Sequence, residues 1–342
     1  MIKFKRHYDP LRPNRALGIA DRYEFTHGRD SVCVYDIDKL DFIKEIPVGV
    51  RPDCHSTSCD NKYLYIACIG GLYIIGQDSL RVEKIIDTGS VYGTNVLPDG
   101  STMLLHDCYG GIIILKDIQD MEKIHIHKRL DILGLNIYRQ IDFSNSNEYG
   151  YMLGGKGNLI ENGRYYLCNA WNDRRMFIID LENDYSFDVY MDNTQEFHNA
   201  DDLVINAEKT KAYSACYCNR ESCYITVTDI EKRQIIKTIP TLRGTCGLTM
   251  SNDERYCIAS NDLDNAISVI DTHTDTLVRN ISADEGFRKL GITGCIQGLS
   301  VGMDDEIYVY GCSGNGAIVR FSDIYTSPRW TISYSGGKLQ TA

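Results

Sequence analysis

Residues 244–282, GTCGLTMSNDERYCIASNDLDNAISVIDTHTDTLVRNIS, hold four short apolar runs, LTM, YCIAS, AISVID and TLVRNI, each closed by a polar cluster. Every run is too short for a helix, and the intervening clusters are rich in Asp and Asn. The stretch therefore reads as a four-stranded antiparallel meander with tight turns. One such sheet cannot bury both of its faces. Copies of it must stack, and the rest of the chain supplies them.

Strand pairs like AISVID and TLVRNI recur along the chain. VCVYD with FIKEI comes first, followed by LYIIG with VEKII, IIILKD with MEKIHI, MFIID with SFDVYM, YITVTD with IIKTI, AISVID with TLVRNI, and AIVRF with RWTISY. The residues closing the first member of each pair, Asp36, Gly76, Asp117, Asp180, Asp229, Asp271 and Asp323, are separated by 40, 41, 63, 49, 42 and 52 positions. That spacing matches the ~40 to 50 residue period of stacked four-stranded units. Most pairs follow another strand, YLYIAC, MLLHDC, YYLCN, YSACYC or YCIAS, itself preceded by a turn signal, CDNK, PDGS, ENGR, AEKTK or SNDER. The interval of 63 predicts an insertion near residues 128–164, which must go to a surface connection.

Composition sets outer limits on function. The chain has 342 residues, seven Pro and no shift of composition that would mark a linker, so a single repeat domain over 1–342 is expected. Its first 15 residues are basic without a following apolar run, and no stretch of 18 apolar residues occurs. Neither a signal peptide nor a membrane span is predicted, and the expected location is cytoplasmic. Thirteen cysteines in a chain of this size read as reduced thiols rather than a disulfide framework. A net charge of -11 opposes binding to nucleic acid or to an anionic membrane.

The order of strands and turns in VGVRPDCHSTSCDNKYLYIACIGGLYIIG, and more closely in YCIASNDLDNAISVIDTHTDTLVRNIS, resembles the YVTN family of seven-bladed β-propellers, a relative of the WD40 architecture. The resemblance extends from about residue 17 to 335. It implies an all-β fold of seven four-stranded antiparallel blades whose first strands line a central channel. It is nearly silent on activity, because relatives include lactonases, lyases, electron-transfer subunits and binding scaffolds.

Given that architecture, the segments VRPDCHS, VYGTN, NIYRQID, EFHNADD, LRGTCG and ITGCIQG lead into the channel-lining strands. They would bring Arg51, Asp53, Tyr92, Thr94, Arg139, Gln140, Asp201, Arg243, Cys246 and Gln297 towards one mouth as ligand-binding candidates. Arg51, Arg139 and Arg243 would suit an anion, since guanidinium forks pair with carboxylate or phosphate; the competing reading pairs each with a nearby Asp. His55 and His198 are candidates for general acid and base. His106 replaces a small residue found in equivalent strands and is expected to be a buried, hydrogen-bonded structural histidine. No motif for a nucleophile, metal or phosphate loop is present, so neither metal nor cofactor is expected. The expected function is a binding module whose polar channel mouth holds a small anionic molecule or a partner peptide. The alternative is a lyase or hydrolase working through His55 and His198.

Overall fold

A computed structural model describes residues 16–19, 31–36, 39–50, 52, 54–134, 152–171, 175–192, 200–217, 223–291, 298–302, 306–310, 317–334 and 337–340. Strands β1 (Ala16–Ile19), β2 (Ser31–Tyr35) and β3 (Phe42–Pro47) form a three-stranded antiparallel sheet. The next two sheets have four strands each. They are β4 (His55–Thr57), β5 (Tyr63–Cys68), β6 (Gly71–Gly76) and β7 (Arg81–Ile86), then β8 (Val91–Val96), β9 (Met103–Asp107), β10 (Ile112–Lys116) and β11 (His125–Leu130). In the following sheet the first strand is split into β12 (Met152–Leu153) and β13 (Asn158–Ile160), both paired with β14 (Tyr165–Trp171). Strands β15 (Arg175–Asp180) and β16 (Ser186–Asp192) complete it.

Two regular sheets come next, β17 (Ala200–Ile205), β18 (Lys211–Cys216), β19 (Cys223–Asp229) and β20 (Gln234–Thr241), then β21 (Thr245–Met250), β22 (Tyr256–Asn261), β23 (Ala266–Asp271) and β24 (Thr276–Ser282). A short helix, α1 (Asp284–Leu290), leads to a five-stranded sheet of β25 (Gly298–Val301), β26 (Ile307–Tyr310), β27 (Ile318–Ser322), β28 (Arg329–Tyr334) and β29 (Gly337–Gln340).

The sheets pack face to face in chain order, each interface filled by the apolar side chains of two neighbours. Tyr65 and Ile74 meet Leu105 and Ile113, Leu104 and Ile112 meet Tyr166 and Phe177, and the series continues to Ile258 and Val269 against Ile307 and Val319. The three-stranded sheet stands between the last blade and the first complete one. Its Cys33 and Tyr35 pack on Tyr308 and Ile318, and its Val32 and Val34 on Leu64 and Ile66, which closes the ring.

The fold is thus an all-β propeller of four-stranded antiparallel blades, but the expected count is corrected. Six sheets reach four or more strands, whereas the N-terminal one has three among the described residues. The segment RALGIADRYEF has room for two strands by its length; its described residues, Ala16–Ile19, form β1, and its remaining positions lie outside the described residues. Gly337–Gln340 pairs with β28 and widens the last blade.

Local chemistry explains why these strands turn where they do. Asp36, Asp180, Asp229 and Asp271 close the next-to-outermost strands of their sheets because their carboxylates accept backbone N–H bonds from residues three positions on, Lys39, Asn183, Lys232 and Thr274. In the hairpins joining the first two strands, Asp99 and Asp253 do the same for Ser101 and Arg255, next to left-handed Gly100 and Glu254. Met121, read as part of an outer strand, lies in a turn capped by Asp120, and β11 begins only at His125. Tyrosines clamp blade to blade. Tyr65 donates to the carbonyl of Ile118 at 2.9 Å, and Tyr213 to Asp275 Oδ1 at 2.5 Å beside a Lys211–Asp275 ion pair of 2.6 Å.

Within the span 128–164, residues 128–130 end β11 and residues 152–160 form the split first strand. Positions 135–151 lie outside the described residues.

Candidate functional site at the inner strands

Among the described residues, the first strands of three pairs of neighbouring blades are bonded to each other. Ser56 Oγ donates to the Thr94 carbonyl at 2.6 Å, Gly157 N–H to Asn95 Oδ1 at 3.4 Å, and Leu248 N–H to Asp202 Oδ2 at 3.1 Å. These strands therefore line the centre of the ring. Four consecutive ones break register with their partners. β8 bulges between Val91 and Gly93, β17 between Ala200 and Leu203, and β21 between Thr245 and Leu248. The split strand is interrupted over residues 154–157, between its pairings at Leu153 and Asn158. A bulge turns the extra residue out of the regular alternation, so a polar side chain can be re-aimed without disturbing the apolar faces of the blade. The displaced positions are Tyr92, the run Gly154–Gly155–Lys156–Gly157, the pair Asp201–Asp202, and Cys246–Gly247.

His106 anchors the second of these. Fully buried on β9, it bonds through Nδ1 to the Gly154 carbonyl, while its Nε2 accepts the Tyr166 hydroxyl at 2.8 Å. Both contacts fit one neutral tautomer, with the proton on Nδ1, and burial lowers the pKa to about 4. The expected structural role of His106 is what the structure contains. Glycine is needed at position 93, because a Cβ there would strike the Gly155 carbonyl. In the run GGKG only Lys156 carries a side chain.

Of the candidates read from sequence, Tyr92 is half-buried on β8, and Thr94 is buried there with its hydroxyl 2.8 Å from Ser56 Oγ. Asp201 lies on β17. Cys246 is buried with its sulfur 3.3 Å from Ser260 Oγ. Arg243 is exposed and held by Asp264, which accepts from its Nε at 2.9 Å, its NH2 at 2.6 Å and its backbone N–H at 2.8 Å. The guanidinium is thus taken up by Asp264, a carboxylate outside the set Asp53, Asp142, Asp201 and Asp202 considered as partners of the arginines from sequence. His55 is buried on β4, and burial, then the positive charge of Lys156, lower its pKa to about 3. Arg51, Asp53, Arg139, Gln140, His198 and Gln297 lie outside the described residues.

Lys156 was missed by sequence reading. Its signal was the run GGKG at a position where the repeat calls for an uninterrupted strand. Among the described residues no cluster of three His, Cys, Asp or Glu is gathered as a metal site requires. The ten described cysteines form no disulfide with one another; Cys218, Cys295 and Cys312 lie outside the described residues. No described helix is long and apolar enough to cross a membrane.

No family model and no curated protein matches the chain. Among solved structures it is similar to the Myceliophteria_thermophila Cps50 (Swd1) beta-propeller domain, with a TM-score of 0.60 and 10% identity over 90% of this chain and 93% of that one. That likeness shows the β-propeller fold, which the closed ring of sheets displays directly.

Proposed function

We propose that the chain is a cytoplasmic binding module of the YVTN kind, which takes a segment of a partner protein at the mouth of its channel. The observation that carries this reading is the girdle of irregular inner strands, where four blades in succession break register while the apolar packing between blades stays continuous. A rigid ring of this kind presents its side chains without paying ordering entropy on binding. An anionic group on the partner, or a small anionic molecule in its place, is the finer form of the proposal. The lyase or hydrolase alternative draws no support from His55, since a buried imidazole with a pKa near 3 is a poor base at neutral pH.

A displayed peptide library selected against the immobilised protein tests the reading. Enriched peptides should lose binding at least about tenfold on Tyr92→Ala and keep it on Phe187→Ala, an exposed outer-strand control. Peptides indifferent to Tyr92 but lost with Phe187 would place recognition on the outer rim and end the channel proposal.

A further inference from the structure

One outer strand departs from the repeat at its closing end, on the side of the ring where the chain passes from sheet to sheet. In four sheets a buried apolar residue near that end, Ile46, Leu130, Ile239 or Ile281, follows a polar one, Glu45, Arg129, Thr238 or Asn280. In the sheet of β4 the same two pairing positions hold Ile86 and Ile85, and Ile85 is 53% exposed. Ile85 is paired with half-buried Tyr73, and beside them a Cβ on Gly71 would meet Ile85 Cγ2 at 3.6 Å, so the glycine leaves that flank of Ile85 uncovered. The backbone at Gly49 lies flat on the Tyr73 ring, since a Cβ there would come within 2.5 Å of it. The next residue, Val50, is 46% exposed and accepts the Ile69 N–H at 2.9 Å. Val50, Ile69, Tyr73 and Ile85 thus line one apolar notch, and the Tyr73 hydroxyl makes no hydrogen bond among the described residues.

Single exposed aliphatic side chains are ordinary, whereas contiguous ones rimmed by charge mark a contact surface. The rim here is acidic. Asp87, two positions past Ile85, and Asp131, at the same place in the next sheet, are exposed and form no ion pair among the described residues. Asp107, at the same end, accepts the N–H groups of Tyr109 and Gly111. The described cation at that end of these two sheets is Arg129, whose NH1 and NH2 both donate to the Thr88 carbonyl at 3.1 Å. A second copy of the chain would bring Asp87 towards its own counterpart and a net charge of -11 towards another, while a basic segment is drawn in by the same field. We propose that the notch of Val50, Ile69, Tyr73 and Ile85 is a docking surface for a basic protein segment that seats an aliphatic or aromatic side chain on it, with Lys or Arg against Asp87. This surface lies outside the channel and does not depend on the reading of the mouth.

A displayed library of random peptides, selected against the immobilised full chain, tests this with Ile85→Ser and Asp87→Lys, both at exposed positions. Some selected peptides should lose binding about tenfold or more on Ile85→Ser. Those peptides should carry an apolar residue next to Lys or Arg, and Asp87→Lys should weaken them about three- to tenfold. Their binding should also fall between ~50 and ~500 mM NaCl, because the pairing with Asp87 is solvent-exposed and screened. Unfolding midpoints of the two variants should match the wild type, which separates lost docking from lost folding. A selection in which no peptide depends on Ile85 overturns the proposal, and leaves the channel reading standing if the same peptides depend on Tyr92. Ile85-dependent peptides that are acidic and gain affinity from Asp87→Lys overturn it as well. A wild-type dimer in light scattering that Ile85→Ser disperses would give the notch to a second copy and equally end the proposal.

Discussion

Six outer strands carry one residue more than the strands they pair with, and several inner strands do too, yet the extra residues differ in kind. On the outer rim they are Ile43, Glu83, His127, Tyr190, Ile236 and Val278, a set with no common chemistry. Around the channel they are Tyr92, Lys156 with its glycines, Asp201–Asp202 and Cys246–Gly247. At the rim the bulge matters for the backbone, since an irregular edge is a poor template for another strand. At the channel it matters for the side chain it re-aims. The last blade supplies the control for the outer case. β28 pairs with β27 without any register shift, and it is the outer strand that accepts a further one, β29.

The largest test of the inner girdle is acid. In the unfolded chain His55 and His106 bind protons near pH 6.5, whereas the folded protein keeps them neutral down to about 3 and about 4. The unfolded state therefore holds more protons throughout that interval. Stability contributed by these groups is complete above about pH 6.5 and falls as the pH drops towards 4, by up to ~1.4 kcal/mol per pH unit for each histidine. Denaturant midpoints across pH 4 to 7 should show this loss (a flat profile would mean the two rings are solvated). Next in size is His106→Ala, which leaves the Gly154 carbonyl and the Tyr166 hydroxyl unpaired beside a cavity. It should cost about 3 to 5 kcal/mol and remove part of the acid sensitivity.

Away from the channel the expected effects shrink. Tyr213→Phe breaks the clamp to Asp275 but leaves Lys211 in place, and a loss of about 1 to 2 kcal/mol in urea unfolding is expected. Removing residues 337–342 uncovers the unbulged edge of β28. The variant should associate with rising concentration in light scattering, while Ile236→Lys, at an already bulged edge, should change neither association nor stability by more than about 0.5 kcal/mol. Equal behaviour of these two variants would remove the contrast between the rims.

The blades were legible in the sequence because their two middle strands are buried on both faces and bounded by Asp-capped turns, as at Asp180 and Asp271. The inner strands were legible only in part, as at VYGTN and LTM. A bulge breaks the alternation of period two on which strand reading depends, and the split of β12 from β13 hid a strand within what reads as an insertion. Arg243 shows the limit of placing a charge by its position in a repeat, because Asp264, 21 residues on in a neighbouring turn, captures it. Met121 misled in the other direction: it packs against the core from a turn and so imitates the start of a strand.

The closure between the three-stranded sheet and the last blade has a mechanical consequence. Elsewhere the chain itself runs from one sheet to the next. At this seam, among the described residues, the two sheets are held by side-chain packing of Cys33, Tyr35 and Leu40 against Tyr308 and Ile318. Load applied between residues 16 and 340 would thus fall on a patch of interdigitated side chains that can be peeled one after another, with no strand ladder to shear. Opened there, the propeller becomes a curved strip whose remaining interfaces are intact, and the seam sets the force at which the closed form is lost.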